Sequence, residues 1–309
     1  MEDKRNAEIL KRLIDYISEY NEKYKKGGQA KVCRETGLSA ATLSQYINGS
    51  YATPWGIEPK IEEYLNTAKK ASEYFTMPEY VPTSISEDIY QSIRNAHLTS
   101  SIIIEYGDAG IGKTKAALKY CSDHGTNTIM ITANPCKKTQ SGILRELCRS
   151  LSIPTRGGAD MFDDISARLA GHKLVIVDEA QSLTITAIET LRALWDMPTT
   201  EFGMVLIGNH AVVGNTRGRH AEQFAQLNNR IKRRPVRTTR DVSRNDIELL
   251  FPEITDDLRS VEFMLEIARS LEGIRGVANL YINAMRNGDV TYKGLYAAAK
   301  DMRMELSYH

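Results

Sequence analysis

No apolar run in the chain approaches the roughly 20 residues that a bilayer span requires, so a helical membrane protein is excluded. The opening segment, "MEDKRNAEILKRL", lacks the apolar core of a secretory signal, and the cytoplasm is the expected compartment. The four cysteines, Cys33, Cys121, Cys136 and Cys148, have no paired spacing. That excludes a zinc knuckle or a dithiol redox pair and leaves reduced, mostly buried thiols as the expectation. Fixed-period repeats and low-complexity tracts are also missing. Excess charge of one sign is lacking as well: the net charge is +1, so bulk electrostatics select no partner.

What is present is a chain of 309 residues, long enough for two domains, with 42% hydrophobic and 26% charged residues. Charge is uneven along it. From 209 to 240 there are eight Lys/Arg against one acid, whereas 241 to 262 carries seven acids against Arg244 and Arg259. A basic surface followed by an acidic segment is the expected result.

Residues 3–25 place Ile9, Leu10, Leu13, Ile14, Ile17 and Tyr20 on one helical stripe, and Gly27 and Gly28 break it. A helix-turn-helix spacing follows in "QAKVCRETGLSAATLSQYINGSY", with Ala30 and Val32 on its first helix and Gly37 in the turn. Leu38, Leu43 and Ile47 anchor its second helix, and Tyr46, Tyr51 and Trp55 read as core and cap residues. A further helix runs to about 72, and "FTMPEYVPTSIS" reads as a linker. Beyond it, apolar runs at 100–107, 128–133, 173–180 and 203–210 alternate with helical patterns at 113–122, 139–151, 159–170 and 184–195. A fifth strand is expected within 234–240. Continuous apolar strands alternating with helices imply an α/β fold built on a parallel sheet. The spacing past 243 is helical again. The expected division is a helix-turn-helix domain at 1–73, a linker at 74–86, an α/β domain at 87–242 and a helical subdomain at 243–309.

"GDAGIGKT" fits the phosphate-loop pattern G-x-x-x-x-G-K-[ST], after a strand and before a helix. Gly107, Asp108, Ala109, Gly110, Ile111 and Gly112 would wrap the phosphates with backbone N–H groups, and the helix N-terminus at Lys113, Thr114 and Lys115 adds positive potential. Lys113 would reach the β and γ phosphates of ATP, and the Thr114 hydroxyl would ligate Mg²⁺. "LVIVDEA" ends a strand in two adjacent carboxylates, which a buried strand tolerates beside a cation. Asp178 would stand near the metal, through a water, and Glu179 would polarise the attacking water. Asn209 ends the next strand and can touch that water or the γ-phosphate; His210 reads as a cap or surface residue. Arg230 in "LNNRIKRRP" either enters a neighbouring subunit's nucleotide site or serves as a backbone-phosphate or surface arginine. Arg275 in "LEGIRGVANLY" either contacts the phosphates from the lid side or pairs with its helix end.

Together these residues resemble the AAA+ ATPases over about 85–305, with Walker A, Walker B, sensor, arginine box and helical lid. "DEAQSL", "LIGNH" and "FAQLNNRIKRR", together with the preceding helix-turn-helix, are similar to the transposition ATPases, the group of the phage Mu B protein and the IstB and TnsC helpers. The resemblance implies a largely non-sequence-specific, ATP-dependent DNA-binding ATPase in a bacterial host's cytoplasm. Such a protein oligomerises, as a filament, on double-stranded DNA, presents target DNA to a transposase, and hydrolyses ATP slowly under stimulus from DNA or a partner.

For DNA contact the sequence offers Lys137 and Lys138 in "NPCKKTQ", on a loop that in the resembling family faces the central channel, and Arg217 and Arg219 in "NTRGRH". In the helix-turn-helix it offers Lys31 and Arg34 for phosphates and Ser44 and Gln45 for base edges, although no Lys or Arg lies on that recognition face. Two other readings share these parts: a nucleotide-gated transcription regulator, and a replication initiator or helicase loader. Operator-specific binding would mark the first, and origin-specific binding or helicase contact the second.

Overall fold

The computed structural model describes residues 5–24, 26–73, 80–213 and 225–304. The chain divides into two compact units at Thr76/Met77.

The first unit holds helices α1 (Ala7–Tyr24), α2 (Gly28–Thr36), α3 (Ala40–Ile47) and α4 (Glu58–Glu73). Its core follows directly from helical spacing: Ile9, Leu13 and Ile17 of α1 meet Val32, Leu43 and Tyr46, and Ile57, Ile61 and Leu65 close the other side. Ser39 caps α3 by accepting the Thr42 N–H at 3.0 Å. At the other end the Arg5 guanidinium donates to the Tyr46 and Ile47 carbonyls, the first of which also accepts the Gly49 N–H at 3.1 Å. The Tyr46 ring is fully buried, and its hydroxyl donates to Glu58 at 3.0 Å. Of the aromatic residues read as core and cap, Tyr46 lies in the core and Trp55 outside it. Trp55 is the middle residue of a single 3-10 turn, Pro54–Gly56, in which Pro54 takes the interior position, and 59% of the Trp55 surface is exposed.

The second unit is an α/β sheet with a helical lid. Helix α5 (Ser84–Leu98) precedes β1 (Ile102–Gly107), followed by α6 (Lys113–Asp123), β2 (Thr128–Thr132), α7 (Gln140–Ser150), α8 (Gly158–Arg168) and β3 (Lys173–Asp178). Then come α9 (Ile185–Trp195), β4 (Phe202–Gly208), α10 (Ala225–Arg230), β5 (Ile231–Arg233) and β6 (Val236–Arg237). The strand order is β2-β3-β4-β1-β5, with β6 also on β1, and every pairing is parallel. The isoleucines, valines and leucines of β1, β3 and β4 are buried, as strands covered on both faces must be.

Two elements differ from the sequence expectation. Residues 84–86, assigned there to the linker, form the first turn of α5, which Thr83 caps at Ser86 N. Ile85, Ile89, Ile93 and Ala96 give α5 its buried stripe. The fifth strand begins earlier than 234, at Ile231, and breaks at Arg234–Pro235, because proline has no N–H for the ladder. Only Cys148 among the thiols is buried; Cys136 is exposed and Cys33 and Cys121 are half-buried, so the mostly buried expectation is corrected.

The lid comprises α11 (Arg244–Leu250), α12 (Leu258–Arg269), α13 (Gly273–Arg286) and α14 (Tyr292–Asp301). Asp246 fastens it to the start of α5. This fully buried carboxylate accepts from Ser84 N at 2.6 Å, Ser84 Oγ at 2.7 Å, Ser243 N at 2.7 Å and Ser243 Oγ at 2.8 Å. Burial alone would raise its carboxyl; these donors outweigh burial and hold it below the ordinary range.

Glu105 is the opposite case. It lies inside β1 with no exposed surface, 3.5 Å from Arg237 Nε, and its Oε1 has no partner. Burial pushes its carboxyl up to about 7, against the pull of Ser92 and Arg237. Between the ordinary carboxylate range and that value the native state holds a proton the unfolded chain has released, so this group's contribution to stability falls as pH rises. Glu105→Gln should therefore flatten the stability difference between pH 5 and pH 7, a change of about 2 kcal/mol. Urea titrations at both pH values would show it, and identical pH dependence in variant and parent would refute it.

Candidate nucleotide site

The cradle sits where β1 hands over to α6, at the carboxyl ends of parallel strands, where open α/β sheets bind ligands. Gly107 ends β1 with φ +153°, and a Cβ there would stand 1.7 Å from the Arg237 carbonyl oxygen. Only glycine lets β6 lie this close, and the Arg237 carbonyl uses the approach to accept the Asp108 N–H at 2.9 Å. Gly112 (φ +98°) turns the chain into α6.

Lys113 folds back over the loop, donating to the Gly107 carbonyl at 3.1 Å and to the Asp108 carbonyl. Burial draws its ammonium down, opposed by the carboxylates of Asp178, Glu179 and Asp108. The Thr114 hydroxyl donates to Asp178 Oδ2 at 2.8 Å across 64 positions of sequence. Burial pushes the Asp178 carboxyl up, partly offset by Thr114 and by the Glu179 N–H. A hydroxyl and a half-desolvated carboxylate in contact form an oxygen donor pair suited to Mg²⁺, which takes one or two protein ligands and phosphate oxygens.

Glu179 follows in a left-handed conformation, φ 56°, and opens a 3-10 turn, Ala180–Ser182. Asn209 stands at the end of β4, where its Oδ1 accepts the Ala211 N–H at 2.9 Å. These groups, with Ala109, Gly110, Ile111, Lys115 and Arg275, line one cavity of about 340 Å³. Asp108 points outside the lining. Its carboxylate accepts from Thr239 N at 2.8 Å and faces His210 Nε2 at 3.2 Å; the Thr239 N–H, with His210, holds it below the usual range despite partial burial. Arg275 approaches from the lid, its N–H donating to the Gly110 carbonyl at 3.2 Å.

The far half of the cavity has no motif. Tyr80, Val81, Thr83 and Ser86 contribute from the entry to α5, and Leu250, Ile274 and Ala278 from the lid. These apolar and hydroxyl surfaces make a slot suited to a planar base beside a polar cradle. The one signal in the sequence was the Thr83 cap with its apolar stripe, since the slot itself joins segments some 170 positions apart along the chain.

Arg230 is remote from this cavity. Ile231 pairs with Ile102, at the beginning of β1, whereas the cradle lies at its end. At about 3.3 Å per residue the intervening strand is roughly 17 Å long. There Arg230 Nε donates to Asp196, which also pairs with Arg192. Lys137 pairs with Glu146 at 2.8 Å, while Lys138 is exposed and its carbonyl accepts Thr184 N at 3.0 Å. In the first unit Lys31 lies over the Tyr20 ring at 4.9 Å, Arg34 meets Glu35 at 3.4 Å, and Ser44 and Gln45 are exposed on α3. Arg217 and Arg219 lie outside the described residues.

A family model described as an AAA domain matches residues 96–213. The chain is 30% identical over 269 residues to the Mu-like prophage FluMu DNA transposition protein B of Haemophilus influenzae, spanning 84% of this chain and 91% of that protein. It is 35% identical over 210 residues to the ATP-dependent target DNA activator B of Escherichia phage Mu, covering 66% of each. Among solved structures, the Aeropyrum pernix ORC2 protein superposes with a TM-score of 0.54 at 16% identity, over 74% of this chain and 70% of that one, a likeness of fold alone.

Proposed function

The chain belongs to the Mu B-type transposition proteins, within the AAA+ P-loop ATPases, and on that premise we propose that it is an ATP-dependent activator of target DNA for a transposase. The observation that supports this reading best is the convergence on one cavity of the Ala109–Thr114 part of the cradle, the Thr114–Asp178 oxygen pair, Glu179 and Asn209. The relatives' printed names supply the transposition context, and one of them carries ATP dependence in its name.

In this reading the Gly107–Lys113 loop binds the phosphates, Thr114 and Asp178 hold Mg²⁺, and the slot of Tyr80, Leu250 and Ile274 takes the base. Mg²⁺ supplies charge neutralisation on the β and γ phosphates. A water attacks the γ-phosphorus, its proton passes to the Glu179 carboxylate, and the β–γ bridging oxygen leaves with the bonding electrons as ADP. Asn209 and Arg275 orient the γ-phosphate from the sheet and lid sides. Lys137 and Lys138 meet the DNA backbone, and repeated subunits multiply that weak contact.

Binding to unrelated duplexes with ATP, ADP or no nucleotide, imaged by negative-stain electron microscopy, tests the reading. Polymers on any DNA with ATP alone are expected. Nucleotide-independent binding to one preferred sequence would favour the regulator instead.

Arg230, a strand's length from its own cradle, serves the next subunit. Arg230→Ala should leave ATP affinity within about twofold and lower hydrolysis in the oligomer by about 10³-fold, as loss of an arginine finger does. Phosphate release measured against protein concentration decides this; an undiminished rate at high concentration would remove Arg230 from the site.

A further inference from the structure

Gln181, the glutamine of "DEAQSL", was given no role by the sequence, yet it spans the two strand ends that carry the chemistry. It lies in the turn between Glu179 and Leu183, where Nε2 donates to Glu179 Oε2 and Oε1 accepts the Asn209 N–H at 3.3 Å. The neighbouring backbone is shaped around this amide. A Cβ on Gly208 would stand 2.3 Å from both Gln181 Oε1 and Val212 Cγ2, so the bare end of β4 leaves the space that the amide and Val212 share. The turn itself is fixed: Ser182 N donates to the Glu179 carbonyl at 2.9 Å, Leu183 N to the Ala180 carbonyl at 3.2 Å, and the Ala180 and Leu183 side chains are buried.

A glutamate side chain has three rotatable bonds, and a base swinging freely into a cavity spends little time in line with a bound water. The left-handed backbone at Glu179 is strained for a residue with a side chain and persists only where the surroundings over-determine it. An amide answers both needs. Its N–H fixes one carboxylate oxygen and leaves the other to receive a proton. Its carbonyl, held by the Asn209 N–H, keeps the base at a set distance from the end of β4. The amide carries no charge, so it adds no repulsion toward the phosphates.

We infer that Gln181 is a positioning residue for ATP hydrolysis, locking Glu179 to the Asn209 end of β4 so that base and sensor act as one unit. The inference rests on the reading of Glu179 as the base.

Phosphate release and nucleotide affinity measured on the full chain test it, using Gln181→Ala, Gln181→Glu, Glu179→Gln and the double variant Glu179→Gln/Gln181→Ala. Gln181→Glu keeps the side-chain length and the acceptor for Asn209 while deleting the donor, so it reports even where the alanine variant fails to fold. Both single exchanges at 181 should lower kcat about 10- to 100-fold with the Kd for ATP within about twofold. In the Glu179→Gln background, Gln181→Ala should change the residual rate less than about twofold, because the base it positions is gone. Unchanged kcat in both single variants overturns the inference. So does a loss in the Glu179→Gln background as large as in the parent, which assigns Gln181 to packing. Full activity of Glu179→Gln overturns the reading of the base itself, a separate result.

Discussion

Lys113→Ala is expected to weaken ATP binding by about 10²- to 10³-fold, in line with the 2–5 kcal/mol lost when one partner of a desolvated charge pair is truncated. The ammonium is held by the carbonyls of Gly107 and Asp108, over the loop proposed to hold the phosphates. Removing it leaves the triphosphate beside Asp178 and Glu179 with one protein cation fewer to offset their charge. Titration calorimetry with a slowly hydrolysed ATP analogue measures the loss, and a melting curve separates it from collapse of the loop. Affinity within about fivefold of the parent would show that backbone N–H groups and Mg²⁺ carry the binding without the lysine. DNA complexes that need ATP should disappear with it.

Glu179→Gln should separate what Lys113→Ala joins. The amide keeps the volume and the polar contacts of the carboxylate but accepts no proton, so kcat should fall about 10²- to 10⁴-fold, the usual worth of a general base. ATP affinity should persist, because neither the loop nor the Thr114–Asp178 pair is touched. If hydrolysis dismantles ATP-dependent assemblies on DNA, as proposed, those of the variant should outlive those of the parent. Single-turnover phosphate release and the lifetime of DNA complexes are the two readouts. A variant that loses binding and hydrolysis together would place Glu179 in ligand binding instead.

The polar half of the cavity was legible because backbone wrapping and metal ligation demand particular residues at particular spacing. Gly107, Lys113, Thr114, Asp178 and Glu179 declare themselves once a strand precedes the loop. Strand positions in β1 to β4 were legible for a related reason: short unbroken apolar runs fit no amphipathic helix. The slot proposed for the base was not, since Tyr80, Leu250 and Ile274 are ordinary apolar residues whose meaning lies only in their meeting. Helix α5 was partly hidden by Pro78 and Pro82, which made the whole segment read as linker although Ile85, Ile89 and Ile93 are spaced four apart. Gln181 was hidden differently. A polar residue in a turn has many uses, and its partner Asn209 lies 28 positions on. Trp55 shows the limit of composition: tryptophan belongs inside on average, yet the neighbouring proline took that place.

The bond from the Arg275 N–H to the Gly110 carbonyl joins the lid to the crown of the phosphate loop, while Asp246 pins the lid's other end to Ser84. Mechanically the lid is a lever with a fixed fulcrum and its working end hooked on the loop. It cannot swing outward without unhooking Gly110 or lifting the crown away from the phosphates. Departure of the spent nucleotide and rotation of the lid therefore draw on the same bond, and a force that moves the lid is also a force on the ligand.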